Sequence, residues 1–235
     1  QIGELGANVV RLYTLHPPSL YRALKQHNDS RPDRKLWLVQ GVWTELPAGH
    51  DYDAPGFVDA FNAEVRRVID AVHGNLELPE RPGHAHGVYD ADLAADVLAY
   101  VLGREWEPFS VDADNAAHPD STSVVGRYVR LESGLPIEAW LASTLETALA
   151  HESEYYRGQH PVSFTSWPTL APLVQPTEAT VDEEMRFRGQ AGDLPPEEIK
   201  EYDNDKVNVD IARIVPTEHC PAGIFATYHA YPYYP

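Results

Sequence analysis

The sequence predicts an α/β fold built on a parallel sheet. Two observations carry that expectation: five short, almost continuously apolar runs, and stretches of helical spacing between them. Strands covered on both faces have no polar face to alternate with, and strand–helix alternation supplies the cover. A third observation concerns placement, because each run ends in polar and aromatic residues. Such ends are where α/β folds put their chemistry.

The first run, "ANVVRLYTL" (7–15), delivers Arg11, Tyr13 and His16. A helix is expected over "SLYRALKQHN" (19–28), with Ser19 as N-cap and Leu20, Ala23 and Leu24 on one side. The second run, "KLWLVQGVW" (35–43), carries Gln40 and ends at Trp43, Thr44 and Glu45. The next helix, 54–74, places Phe57, Phe61, Val65, Val68 and Val72 at helical spacing and stops at Gly74. The third run, "VLAYVLGRE" (97–105), ends in Arg104, Glu105, Trp106 and Glu107. A helix over 136–156 opens on Pro136 and aligns Trp140, Leu141, Leu145 and Leu149. The fourth run, "PVSFTSW" (161–167), ends in Thr165, Ser166 and Trp167. The fifth, "GIFATYHAY" (223–231), ends in Tyr228, His229 and Tyr231.

Strand centres lie farther apart than the minimal βα unit of about 30 residues after the first pair, so the extra length belongs in loops. One of these, 175–221, is long, acidic and Pro-containing, and reads as a lid or a partly disordered connection. The whole of 1–235 reads as a single domain.

The formal charge of −18 disfavours nucleic acid and anionic membranes as partners and leaves neutral substrates open. The one cysteine, Cys220, excludes an internal disulfide and a CxxC motif. No apolar stretch approaches the roughly 20 residues that span a bilayer. The opening "QIGELGANVVRLYT" reads as a helix end, a Gly stop and a strand, without an initiator Met. A chain cut from a longer one, its targeting segment outside it and its compartment open, is the expectation.

In a β/α barrel the strand ends converge on one mouth, and five strands delivering polar groups there weigh more than any single motif. Singly, Arg11 reads as an interior ion-pair partner, and His229 as either a core or a functional histidine. The Trp residues are packing or platforms for sugar rings. Glu105 and Glu107 are a salt bridge with Arg104 or Arg11, or a pair used in chemistry, since buried carboxylates are costly otherwise. "HAH" (84–86) lies in loop sequence before a helix, and no acidic or His cluster completes a metal site there. "DND" (203–205) lacks the Gly and the final Glu of a calcium loop. No phosphate loop or nucleophile elbow is present, and no cofactor or metal is expected.

These residues resemble a known group. "YVLGREWEP", "NVVRLYTLHPP" and "TYHAYPYYP" resemble strand-end motifs of the catalytic (β/α)8, or TIM-type, barrel of clan A retaining glycoside hydrolases, the β-galactosidase- and cellulase-like enzymes. On that register the five runs are strands two to six of an incomplete barrel. The resemblance implies Glu105 as general acid/base, with Glu107 as the alternative if the register shifts. Arg11, Tyr228 and His229 would support the nucleophile, which in that clan ends strand seven and is expected beyond residue 235. Tyr13, His16, Trp43, Arg104, Trp106, Trp167 and Tyr231 would contact the saccharide. Arg104 departs from the motif, where an Asn usually stands. Glu107 would share the face of Glu105 if the strand ran on.

The implied activity is cleavage of O-glycosidic bonds in an oligo- or polysaccharide by a retaining two-carboxylate mechanism. Rival readings are a carbohydrate-binding pseudoenzyme, a transglycosylase, and a metal-dependent barrel hydrolase using His16, His84 and His86.

Overall fold

The computed structural model describes residues 2–173 and 207–231, together with positions 183, 186 and 189. Most of the acidic connection expected over 175–221, including 203–205, lies outside the described residues.

The chain runs β1 (Val9–Leu12), α1 (Pro18–Ser30), β2 (Trp37–Val42) and α2 (Pro55–Val72). A small hairpin, β3 (Leu76–Leu78) and β4 (Gly87–Tyr89), precedes β5 (Val97–Leu102) and α3 (Pro108–Ala117). Then come β6 (Val124–Val125), β7 (Val129–Leu131), α4 (Pro136–His151) and β8 (Val162–Ser166). The last strands are β9 (Ile214–Pro216) and β10 (Thr227–Tyr228).

All five apolar runs become strands, and they form one parallel sheet in chain order, β1-β2-β5-β8-β10. The three inner strands are buried on both faces, which accounts for their lack of polar alternation. The sheet is open, with β1 and β10 at its edges, and it curls as half a barrel would. A closed barrel is not formed among the described residues.

Helices follow the periodicity with four corrections. Ser19 lies inside α1, whose N-cap is Pro17, because Pro18 sets the first helical turn. The buried face of α1 is carried by Tyr21 and Asn28 while Ala23 is exposed; Asn28 bonds both backbone groups of Leu36 at 2.9 Å. The helix begun at Pro136 ends at His151 and widens into a π-type turn over Glu152–Tyr156, closed by Arg157 at φ 59°. The "HAH" stretch precedes the short strand β4 rather than a helix. No helix among the described residues is long and apolar enough to cross a membrane.

The core lies between the sheet and α2 and α4, where Phe57 and Phe61 stack on Trp140 at 5.8 and 5.7 Å. Helix α4 also touches α3, β7 and β8, so it is apolar nearly all round. Its one buried acid is Glu138, fully inaccessible. Glu138 accepts the Leu135 amide at 2.8 Å, closing the first turn, and the Asp210 amide at 2.8 Å. The Arg213 guanidinium lies 3.1 Å away. Glu138→Ala is expected to cost about 3 kcal/mol, since two amides lose their acceptor and a void opens. Urea denaturation checks it; a loss under about 1 kcal/mol would mean that water replaces the carboxylate.

Candidate functional site

The site forms at the carboxyl end of the sheet. β5 stops at Leu102 because Gly103 takes φ +83°, a left-handed conformation that favours glycine. Its amide donates to the Val42 carbonyl at 2.8 Å. A Cβ there would stand 2.1 Å from Trp106 Cζ2. The turn therefore sends Trp106 inward and leaves Glu105 at the sheet end. Gly103→Ala is expected to cost about 2–3 kcal/mol through backbone strain and displacement of the indole. A thermal melt read by Trp fluorescence checks both at once.

Trp106 is 1% exposed, edge-on to Tyr52 and Trp140 at 5.4 and 5.3 Å. It belongs to the core and offers no face to a sugar, which corrects its expected role in substrate contact. Glu107 is not on the face of Glu105 either, since the strand has ended and Glu107 is the N-cap residue of α3.

The two glutamates have different partners. Glu105 Oε1 lies 2.6 Å from His229 Nδ1 and also accepts the Tyr231 hydroxyl. A carboxylate can only accept, so Nδ1 carries the proton in that bond. His229 Nε2 is buried without a hydrogen-bond partner. Glu107 instead faces Arg104 at 3.3 Å, and Arg104 reaches Glu45 at 3.5 Å while its guanidinium lies over Trp43 at 5.3 Å. The salt-bridge reading thus holds for Glu107 and fails for Glu105.

Tyr13 meets His229 edge-on at 5.7 Å, and the Arg11 guanidinium lies over the Tyr13 ring at 4.7 Å. Arg11 Nε is buried without a hydrogen-bond partner, as is Ser166 Oγ at the end of β8. Tyr13 and His229 leave the two opposite edges of a five-stranded sheet. Four strand spacings of about 4.8 Å put those edges about 19 Å apart in a flat sheet. Ring contact across that span requires the sheet to curl, so the curl itself assembles Arg11, Tyr13, Glu105, His229 and Tyr231.

The remaining expected residues are more dispersed. Trp43 and Trp167 are half-buried, and Trp167 Nε1 donates to the Trp106 carbonyl at 2.8 Å. Tyr228 is 47% exposed on β10. His16 uses its backbone, its carbonyl accepting the Tyr89 hydroxyl at 2.8 Å, and its ring makes no hydrogen bond to the group around Glu105. His16, His84 and His86 do not form a cluster of possible metal ligands among the described residues.

A different cluster, Asp51, Asp114 and His118, is not legible in the sequence because Asp51 comes from the loop after β2, Asp114 from α3 and His118 from its C-cap. The spacing Asp114-x3-His118, one helical turn, was the available signal.

No family model, no curated protein and no solved structure matches this chain.

Proposed function

We propose that the carboxyl end of the sheet is a glycosidic-bond-cleaving site in a TIM-type β/α arc, with Glu105 as its proton donor. One observation carries the reading: Glu105 Oε1 is fixed by His229 and Tyr231, which come from the far edge of the curled sheet. With Oε1 anchored, Oε2 makes no hydrogen bond among the described residues and is the oxygen that passes a proton to the leaving group. After departure the same oxygen takes a proton from water or from an acceptor sugar.

Retention needs a second carboxylate about 5 Å from the first. Glu45 and Glu107 are turned to Arg104, and on this reading neither is the nucleophile. Tyr13, Trp43 and Trp167 keep accessible aromatic surface for a sugar ring, and a neutral saccharide suits a chain of net charge −18.

A carbohydrate-binding pseudoenzyme is the second reading. It is favoured by Arg104, which stands at the motif's Asn position and is already paired with Glu45 and Glu107. The test is a panel of aryl β-glycosides followed by aglycone release, beside calorimetric titration with short oligosaccharides. Turnover that depends on Glu105 supports the first reading. Binding without turnover transfers the site to the second, and neither binding nor turnover overturns both.

A further inference from the structure

Away from Glu105, the loop after β2 and the last turn and C-cap of α3 bring Asp51, Asp114 and His118 together. One possible ligand atom from each lies within 4.8 Å of the others. Asp114 and His118 are four apart and face the same way from the helix. Asp51 reaches them from a tight loop in which both Gly49 and His50 have positive φ, 67° and 60°.

His118 Nε2 stands 2.9 Å from Asp51 Oδ1 and 3.9 Å from Asp114 Oδ1. Its other nitrogen, Nδ1, faces Asp53 Oδ2 at 3.8 Å. Asp114 is 1% exposed. Its Oδ1, the oxygen 3.9 Å from His118, accepts the Tyr52 amide at 2.8 Å, and its Oδ2 is buried with no hydrogen-bond partner. A buried carboxylate oxygen without a donor is costly, and the neighbours on offer are further acids and a histidine. A cation bound between these groups would supply the positive partner that this oxygen lacks.

We propose that Asp51, Asp114 and His118 form a binding site for a divalent transition-metal ion, with Asp53 orienting the histidine. His118 Nε2 and one oxygen from each of Asp51 and Asp114 are the ligands. The Nδ1–H then points at Asp53, the outer carboxylate that metal-bound histidines commonly keep. A mixed nitrogen and oxygen set suits zinc or manganese better than calcium, which takes oxygens alone. The side chains of Asp51 and His118 are 44% and 28% exposed, so water reaches the remaining positions. The ion would pin the loop after β2 to α3, whose N-cap is Glu107, and so would steady the frame that holds Arg104.

The test uses the whole chain, stripped with a chelator and titrated with zinc and then manganese by calorimetry. One tight equivalent is expected, weakened at least tenfold by Asp114→Asn and by His118→Ala. Cobalt substitution gives an independent readout, since a bound ion with a nitrogen ligand should produce visible absorption bands that His118→Ala removes. Asp51→Asn changes a half-exposed side chain and serves where Asp114→Asn disturbs packing at Tyr52; circular dichroism of the metal-free variants monitors folding. Unchanged affinity in folded Asp51→Asn and His118→Ala proteins would overturn the proposal, as would the absence of a tight equivalent in the parent chain. The chain has 11 histidines, so weak binding that survives both substitutions counts against the site.

Discussion

Glu105→Gln is expected to slow cleavage of aryl glycosides with poor leaving groups by about 10²–10⁴-fold, the usual contribution of a positioned acid. Gln keeps the shape of the side chain and one acceptor oxygen but has no proton to give. Good leaving groups need little protonation, so their first step should be spared. Added azide should then restore turnover by replacing the water that Glu105 no longer activates, and the product should be a glycosyl azide of retained configuration. Glu107→Gln should behave differently, because Glu107 faces Arg104 at 3.3 Å and stands at the start of α3. A change of a few-fold, without dependence on the leaving group, is expected there. If Glu107→Gln instead shows the leaving-group pattern, the acid lies two residues on. Removing an anchor, by Tyr231→Phe or His229→Ala, should lower rates about tenfold by loosening Oε1 while leaving the leaving-group trend unchanged.

The pattern of what sequence revealed has a physical basis. β2, β5 and β8 were legible because burial on both faces leaves a continuous apolar run. The strands β3, β4, β6, β7 and β9 were not, being two or three residues long with exposed positions. Helix α3, "PFSVDADNAA", has no apolar stripe to read, and only Pro108, Ser110, Val111 and Asp114 are buried. At the site, position along the strand placed Glu105 and His229 correctly at one end of the sheet. Trp106 departs from expectation because its neighbours in sequence are carboxylates, whereas a single left-handed glycine decides which way the chain faces. Partners drawn from opposite sheet edges, such as Tyr13 and His229, depend on curl, which no local pattern records.

The same limit hides Glu152, a buried acid with four hydrogen bonds, which sits in the π-type turn and predicts a distinctive pH profile. Glu152 is 1% exposed, and its Oε1 receives His160 Nδ1 at 2.6 Å, His73 Nε2 at 3.0 Å and the Tyr100 hydroxyl at 3.2 Å. The His160 amide reaches Oε2 at 2.8 Å, and Tyr156 stacks on His73 at 3.8 Å. Burial alone would push this carboxyl up, but the bonds from His160 and His73 and the charge of His160 outweigh it and bring it to about 2. Burial likewise opposes charge on His160, yet the Glu152 bond and charge raise it above its usual value. The signs are opposite for the two groups. A depressed acid stabilises above its unfolded value and loses that contribution as pH falls through the folded one. A raised histidine stabilises below its unfolded value and loses it as pH rises through the folded one. The two shifts are two sides of one interaction. Stability from the network should therefore be fullest between the ordinary values of the two groups, 4.5 and 6.5. On the acid side the depression of Glu152 amounts to about 3 kcal/mol, lost progressively toward pH 2. Asp70, lowered by His151 and Tyr156 against the pull of burial, adds an acid limb of its own. The comparison that isolates Glu152 is urea denaturation of the parent and of Glu152→Gln at pH 2.5, 5.5 and 8.5. The gap between them should be widest at pH 5.5 and narrow at pH 2.5. A gap that stays constant across that range would mean that Glu152 acts through packing and hydrogen bonds rather than charge.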